Sequence, residues 1–368
     1  MLPSAVAAPL ECRPPMNRPL PILDLPGPVG HAPGADVPER ESDASLLADA
    51  FGRAIGYLRL SLTSACAMRC LYCRPETHDN PRNETRLTPD EIYSLVAHLA
   101  QHHGLTKVRL TGGDPTSRPD LDAVIRAVAA VPQITDLAMT TNALTLERRA
   151  EQYLEAGLDR VNISLDTLDR ERFAELTGVD QLERVVAGIH AAQAAGLTPI
   201  KINTVVVADR NEQDLPALLR FAADHEIELR LIELMPMGPL ADKWSERYVP
   251  ESRMRQTLDP HIADWSLLRQ GHSAARPYRV TLTTGQTVTL GFITPMSCNF
   301  CADCNRIRVA ADGTLYPCLM DKASHSLLPA IRPGFSADYL DRLLASGLNQ
   351  KAEEHPHDGA AIMTTLGG

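Results

Sequence analysis

From residue 57 the chain repeats one pattern, a short apolar run followed by a longer amphipathic one. The short runs, at 57–62, 106–111, 135–140, 159–165, 200–207 and 228–235, read as strands. Helical periodicity fills the gaps, at 89–103 and at about 119–131, 145–156, 182–195 and 212–224. In the first of these, Ile92, Leu95, Val96 and Leu99 recur at helical spacing. Thr88-Pro89-Asp90-Glu91 before them reads as a capping box with proline at the first helical position. Such alternation over about 180 residues predicts a parallel sheet with helices outside it. Six strands are too few for a closed eight-stranded barrel. The expected architecture is therefore α/β, a partial (β/α)6 TIM-type barrel with its chemistry at the carboxyl ends of the strands.

The candidate functional residues obey that rule. Cys66, Cys70 and Cys73, in the spacing C-x3-C-x2-C, follow the first strand. Gly112-Gly113-Asp114-Pro115 follow the second, Thr140-Thr141-Asn142 end the third, and Ser164 and Asp166 end the fourth. Three thiolates can hold three irons of a [4Fe–4S] cluster and leave the fourth iron open to a ligand that receives an electron. Structural zinc sites usually pair their cysteines as C-x2-C with a second pair or histidines further on. A disulfide framework suits small secreted domains, whereas here 8 cysteines are spread over 368 residues.

After about residue 275 the pattern changes. Residues 277–294 and 305–320 look like hairpins, the second turning at Asp312-Gly313. They mark a smaller C-terminal α+β domain over 276–368, following a barrel domain over 46–275. It carries a second cysteine group, Cys301, Cys304 and Cys318, with Cys298 three residues upstream. Read alone, four cysteines suit either an all-thiolate zinc site or a second cluster. Residues 1–45 are proline-rich without periodicity and read as a disordered extension, which includes Cys12.

The net charge of −10 offers no electrostatic footprint for nucleic acid, so an anionic ligand requires a local group of arginines and lysines. No stretch approaches the roughly 18 apolar residues of a membrane span. The start of the chain lacks the features of a secretory signal, and reduced cysteines point to the cytoplasm.

The first cysteine motif and the glycine turn after the second strand resemble the radical S-adenosylmethionine superfamily, whose usual architecture is such a partial barrel. Cys304-Asn305-Arg306-Ile307-Arg308, the spacing of Cys301, Cys304 and Cys318, and the final Leu366-Gly367-Gly368 are similar to the GTP 3′,8-cyclase family. Phe51-Gly52-Arg53, residues 57–61, 107–111 and 160–166, and Lys201-Ile202-Asn203 match it too, so the likeness covers 46–368. The resemblance implies two [4Fe–4S] clusters, S-adenosylmethionine, and the first step of molybdenum cofactor biosynthesis. Cys66, Cys70 and Cys73 would hold the first cluster, and Cys301, Cys304 and Cys318 the second, with its free iron facing guanine. Tyr72, Gly113, Ser164 and Met235 would line the S-adenosylmethionine pocket. Arg59, Arg109, Thr140, Lys201, Arg306 and Arg308 would contact GTP, and Gly367 and Gly368 would reach the site and assist turnover.

The implied reaction cleaves S-adenosylmethionine to a 5′-deoxyadenosyl radical, removes the ribose 3′ hydrogen and joins C3′ to C8. Implied partners are a low-potential electron donor, a second copy of the chain, and cyclic pyranopterin monophosphate synthase as receiver of the product. Nucleic acid and membrane are not expected. Two departures stand out. Asp114 replaces the commoner glutamate of the glycine turn, and Ala67-Met68 replace the usual asparagine-led pair. If Cys298 capped the second cluster, the site would instead resemble those of peptide-modifying radical enzymes.

Overall fold

The structure, a computed structural model, describes residues 46–74, 80–81, 84–268, 273–321, 324–355 and 363–366. The expected extension over 1–45, with Cys12, and the glycines Gly367 and Gly368 lie outside the described residues.

Six βα units run from β1 (Tyr57–Ser61) through α1 (Pro89–His103), β2 (Lys107–Thr111), α2 (Leu121–Ala129), β3 (Asp136–Thr141) and α3 (Leu146–Glu155). They continue through β4 (Arg160–Ser164), α4 (Arg170–Thr177), α5 (Leu182–Ala195), β5 (Lys201–Val206), α6 (Leu215–Asp224) and β6 (Glu228–Glu233). The six strands pair in order, all parallel. Within these six units, helix α4 is the element that periodicity missed. It spans 8 residues and buries only Phe173, Leu176 and Thr177, too few for a stripe to show.

Helix α1 begins as its sequence dictates. Thr88 Oγ1 accepts from the Glu91 backbone N–H at 3.3 Å, and the Glu91 carboxylate accepts from the Thr88 backbone N–H at 2.7 Å. Gly104 ends it in the left-handed region at φ 70°.

The strands alternate in a way that divides labour. Leu58, Leu60, Val108, Leu110, Val161, Ile163, Leu229 and Leu231 join one core with Leu95, Val124, Val185 and Leu219 of the helices. Burial of each such side chain contributes about 1.5–3 kcal/mol. The residues between them, including Tyr57, Arg59, Arg109, Thr140, Asn162 and Lys201, fall on the opposite face, the lumen.

The C-terminal segment contributes β7 (Ile262–Leu267), β8 (Arg276–Leu282), β9 (Thr287–Ile293), β10 (Arg306–Val309), β11 (Thr314–Tyr316) and β12 (His325–Ser326). Both expected hairpins form, β8 with β9 and β10 with β11, each antiparallel. Their destination was not legible from the sequence. Strand β9 pairs parallel with β6, and β10 pairs parallel with β1, so the segment flanks the barrel on both sides. The sheet runs β12-β11-β10-β1-β2-β3-β4-β5-β6-β9-β8-β7. It passes without a break through the boundary expected at 275/276, which falls between the paired strands β7 and β8. A six-stranded arc alone would leave the backbone groups of β1 and β6 unpaired, and β10 and β9 satisfy them.

Side chains lock the closure. His98 and His103 of α1 both place Nε2 on Asp341 Oδ1, at 2.7 and 2.8 Å, and Arg332 pairs with Glu91. No helix among the described residues is long and apolar enough to cross a membrane.

Candidate functional site

A cavity of about 280 Å³ lies at the carboxyl ends of the barrel strands, between them and the C-terminal segment. It gathers most of the residues singled out by sequence. Cys66, Cys70, Cys73, Tyr72, Gly113, Ser164 and Met235 line it, as do Arg59, Thr140, Arg306, Arg308, Cys301, Cys304 and Cys318. Arg109 and Lys201 are not among its lining residues. Arg109 stands in register beside Arg59 on the neighbouring strand. Lys201 Nζ sits 3.1 Å from Glu228 Oε2, and burial followed by the Arg230 charge brings its pKa down to about 8. Gly367 and Gly368 are outside the described residues, but Leu366 just before them is buried against Met237, Ala310 and Met320, and Met363 lines the cavity.

The first cysteine loop is held by its neighbours in sequence and by the glycine turn. Gly113 N–H donates to Thr63 O at 2.7 Å and Asp114 N–H to Ala65 O at 2.8 Å. A Cβ on Gly113 would meet Ala65 O at 2.4 Å, so the glycine is required by the close approach of the cysteine loop. Asp114, whose shorter carboxylate departs from the expected pattern, accepts from the Asn142 backbone at 2.6 Å, from the Thr116 backbone at 2.8 Å and from Thr141 Oγ1 at 2.9 Å. Its charge is thus spent on joining the turn to the end of β3. Asn80 brackets Cys66, accepting from its N–H at 3.0 Å and donating to its carbonyl at 3.2 Å. Tyr72 Oη donates to Asp166 at 2.7 Å, and Asp166 also accepts from the Val205 N–H. Burial outweighs those bonds and pushes the Asp166 carboxyl up to about 6.

The second cysteine group is assembled from distant pieces. Glu233, buried at the end of β6, accepts from the backbone N–H groups of Met296 and Ser297 at 3.0 and 2.9 Å and from Tyr248 Oη at 3.1 Å. It anchors the loop that leads to Cys301. Arg53 donates to Cys301 O at 2.8 Å and pairs with Asp49. Lys351, 3% exposed, donates to Arg306 O at 2.9 Å and Cys304 O at 3.3 Å. Sequence reasoning passed over Glu233 and Lys351, since a lone acid or lysine carries no spacing signal. Cys298 is set apart. Its sulfur accepts from Arg276 Nη1 at 3.2 Å, and it is not among the cavity's lining residues.

The two sulfur sets suit iron–sulfur clusters better than single metal ions. All six cysteines are free thiols. Among the described residues the only trio of ligand atoms all within 4.8 Å of one another is His98, His103 and Asp341. Tetrahedral zinc, with Zn–S bonds of about 2.3 Å, would draw its sulfurs to about 3.8 Å apart. Burial pushes Cys66 up to about 11 and Cys73 up to about 12, so a cationic centre is needed to hold both as thiolates. At the second set, burial opposes but the Arg306 and Lys351 charges prevail, and Cys304 falls to about 7.

The same lumen carries a row of cations. Arg308, Arg59 and Arg109 are in register on β10, β1 and β2 and therefore share the lumen face. Arg306, two residues before Arg308, lies 4.7 Å over the Phe300 ring. Burial and the neighbouring guanidiniums lower Arg308 to about 9. Thr140 Oγ1, Asn203 Oδ1, Asn162 Oδ1, and Nε and Nη1 of Arg109 are buried without a hydrogen-bond partner. A lumen so furnished calls for a polar, anionic ligand.

Comparison with known proteins agrees. The family model described as Radical SAM superfamily matches residues 60–222, and the one described as Molybdenum Cofactor Synthesis C matches 227–357. A GTP 3′,8-cyclase of Erythrobacter litoralis is 41% identical over 315 residues, 85% of this chain and 93% of that one. A GTP 3′,8-cyclase of Listeria welshimeri is 37% identical over 313 residues, 84% of this chain and 92% of its own. The chain belongs to the GTP 3′,8-cyclase family. Membership brings with it S-adenosylmethionine and two [4Fe–4S] clusters as cofactors.

Among solved structures, Streptococcus suis SuiB bound to precursor peptide SuiA superposes with a TM-score of 0.57, covering 85% of this chain and 76% of that one at 14% identity. At that identity the likeness speaks to the fold alone.

Proposed function

We infer that the chain converts GTP to (8S)-3′,8-cyclo-7,8-dihydroguanosine 5′-triphosphate, the first step of molybdenum cofactor biosynthesis. The observation that carries this reading is that Arg59, Arg306 and Arg308 line one cavity together with two three-cysteine groups. Cys66, Cys70 and Cys73 hold the first cluster and Cys301, Cys304 and Cys318 the second. With S-adenosylmethionine bound, that first cluster would supply the one-electron reductive chemistry that begins the reaction.

This chain's residues do the rest. Arg59, Arg306 and Arg308 grip the triphosphate, for which planar bidentate donors are suited. Thr140 offers a hydroxyl to the nucleotide, while Tyr72, Gly113, Ser164 and Met235 shape the S-adenosylmethionine side of the cavity. Arg109 supports Arg59 from the next strand, and Lys201 acts through Glu228 at the foot of the lumen. Met363 lines the cavity, and Gly367 and Gly368 assist turnover. The apolar lining, including Met235, Leu319 and Met320, keeps water from the reacting carbons. A low-potential donor of the cytoplasm supplies the electrons, the chain works as a homodimer, and cyclic pyranopterin monophosphate synthase receives the product.

The ribose loses one hydrogen atom, C3′ bonds to C8, and one electron and one proton return to the ring. The product is therefore an isomer of GTP, and mass alone does not distinguish them. The test is anaerobic turnover of the reconstituted protein with 3′-deuterated GTP, S-adenosylmethionine and a reductant, followed by chromatography and NMR. The expected result is a new nucleotide isomer with deuterium in 5′-deoxyadenosine. Formation of undeuterated 5′-deoxyadenosine with GTP unchanged would overturn the reading.

A further inference from the structure

Tyr57 stands at the foot of the arginine row. It opens β1 in register with Arg306 on β10 and Lys107 on β2, two residues before Arg59 and on the same face. The charges that bear on it are Arg59 from its own strand, Arg306 from β10 and Arg109 from β2. Strands β1, β2 and β10 carry no acidic residue. Strand β3 brings Asp136, in register with Lys107, but Arg160 holds that carboxylate at 2.5 and 2.7 Å. Several guanidiniums buried together need compensating negative charge. Asp136 nevertheless bears on Arg109, and Cys318 bears on Arg308, while the acidic group that bears on Arg59 is the Tyr57 phenol.

We propose that Tyr57 is a removable counter-anion, ionised among the arginines when the site is empty and protonated when the GTP triphosphate takes over their charge. Burial by itself would raise this phenol, but Arg109, Arg59 and Arg306 together outweigh it and bring it down to about 7. One proton passes from solvent to Tyr57 Oη for each triphosphate bound, and no covalent bond to carbon or phosphorus changes. The proposal rests on the triphosphate lying among Arg59, Arg306 and Arg308. Its consequence is that GTP binding above neutral pH draws a proton and weakens about tenfold per pH unit.

Calorimetric titration of the anaerobic, cluster-loaded protein with GTP at pH 8.5, in two buffers of different ionisation heat, counts that proton. Phosphate monoesters lose their second proton near pH 6, so GTP itself contributes none at this pH. Cys304 is a cluster ligand in the loaded protein and does not contribute either. The wild type is expected to take up about one proton per GTP, with a Kd that rises steadily from pH 7 to 8.5. Tyr57→Phe is expected to take up none and to bind with a flat pH profile. Wild-type binding without proton uptake overturns the proposal, as does equal uptake by Tyr57→Phe. The wild-type pH profile alone decides the matter if the variant does not load its clusters. Absence of GTP binding in the wild type at every pH overturns the triphosphate reading, and the proposal with it.

Discussion

The two cysteine sites reach the same cavity by different routes. Cys66, Cys70 and Cys73 occupy one short loop, braced by the adjoining Asn80 and by the glycine turn at 112–114. Cys301, Cys304 and Cys318 are spread around β10 and β11 and are braced by Arg53, Glu233 and Lys351, drawn from the start, the middle and the end of the chain. Their electrostatics differ as well. The first set is buried near Asp114 and Asp166, which oppose thiolate formation, whereas Arg306 and Lys351 favour it at Cys304. A site encoded in one loop survives loose closure of the fold. A site assembled across the sheet exists only once β10 has docked on β1.

The sharpest way to break this comparison is to remove one ligand from each set. Cys66→Ser is expected to abolish S-adenosylmethionine cleavage and reduce iron from about eight to about four per chain while leaving GTP binding. Cys304→Ser is expected to lose the same amount of iron and all cyclised product, yet keep reductive cleavage of S-adenosylmethionine. Iron analysis with product chromatography checks both, and identical phenotypes would mean that the sites are not separable.

Next in size is Arg308→Lys. Replacing a charge-assisted bidentate contact typically costs about 1.5–3 kcal/mol, a rise of roughly 10- to 100-fold in the KM for GTP with the KM for S-adenosylmethionine unchanged. Removing braces tests the local-versus-assembled distinction. Arg53→Ala is expected to weaken retention of the second cluster about tenfold or more, as measured by iron release to a chelator. Asn80→Ala should have the smaller effect on the first, because the glycine turn still holds that loop. The smallest effect is expected from Cys298→Ser. Since that sulfur does not line the cavity, iron content and turnover should match the wild type. A loss of cluster iron would revive the fully ligated, peptide-type site.

Much of this was legible in one dimension. The ends of α1 were readable because the Thr88–Glu91 box and Gly104 act within a few residues. The strand positions followed from alternation, and the first cluster loop from three cysteines in eight residues. Helix α4 was not legible, being short and mostly polar. Asp114 reads in sequence as a departure from the commoner glutamate, and only its bonds to Thr141 and Asn142 reveal it as a strut.

The sequence by itself determined what depends on neighbours along the chain: the βα repeat, the helix caps, the sulfur donors and the supply of arginines. Tertiary structure decided which strands flank the arc, that Arg308, Arg59 and Arg109 fall in one row, and that Tyr57 lies at the foot of it. The physical reason is that register between β1 and β10, some 250 residues apart, is set by closing a common core and satisfying open strand edges. No local pattern carries that information, because the same alternating residues would suit a strand at either edge.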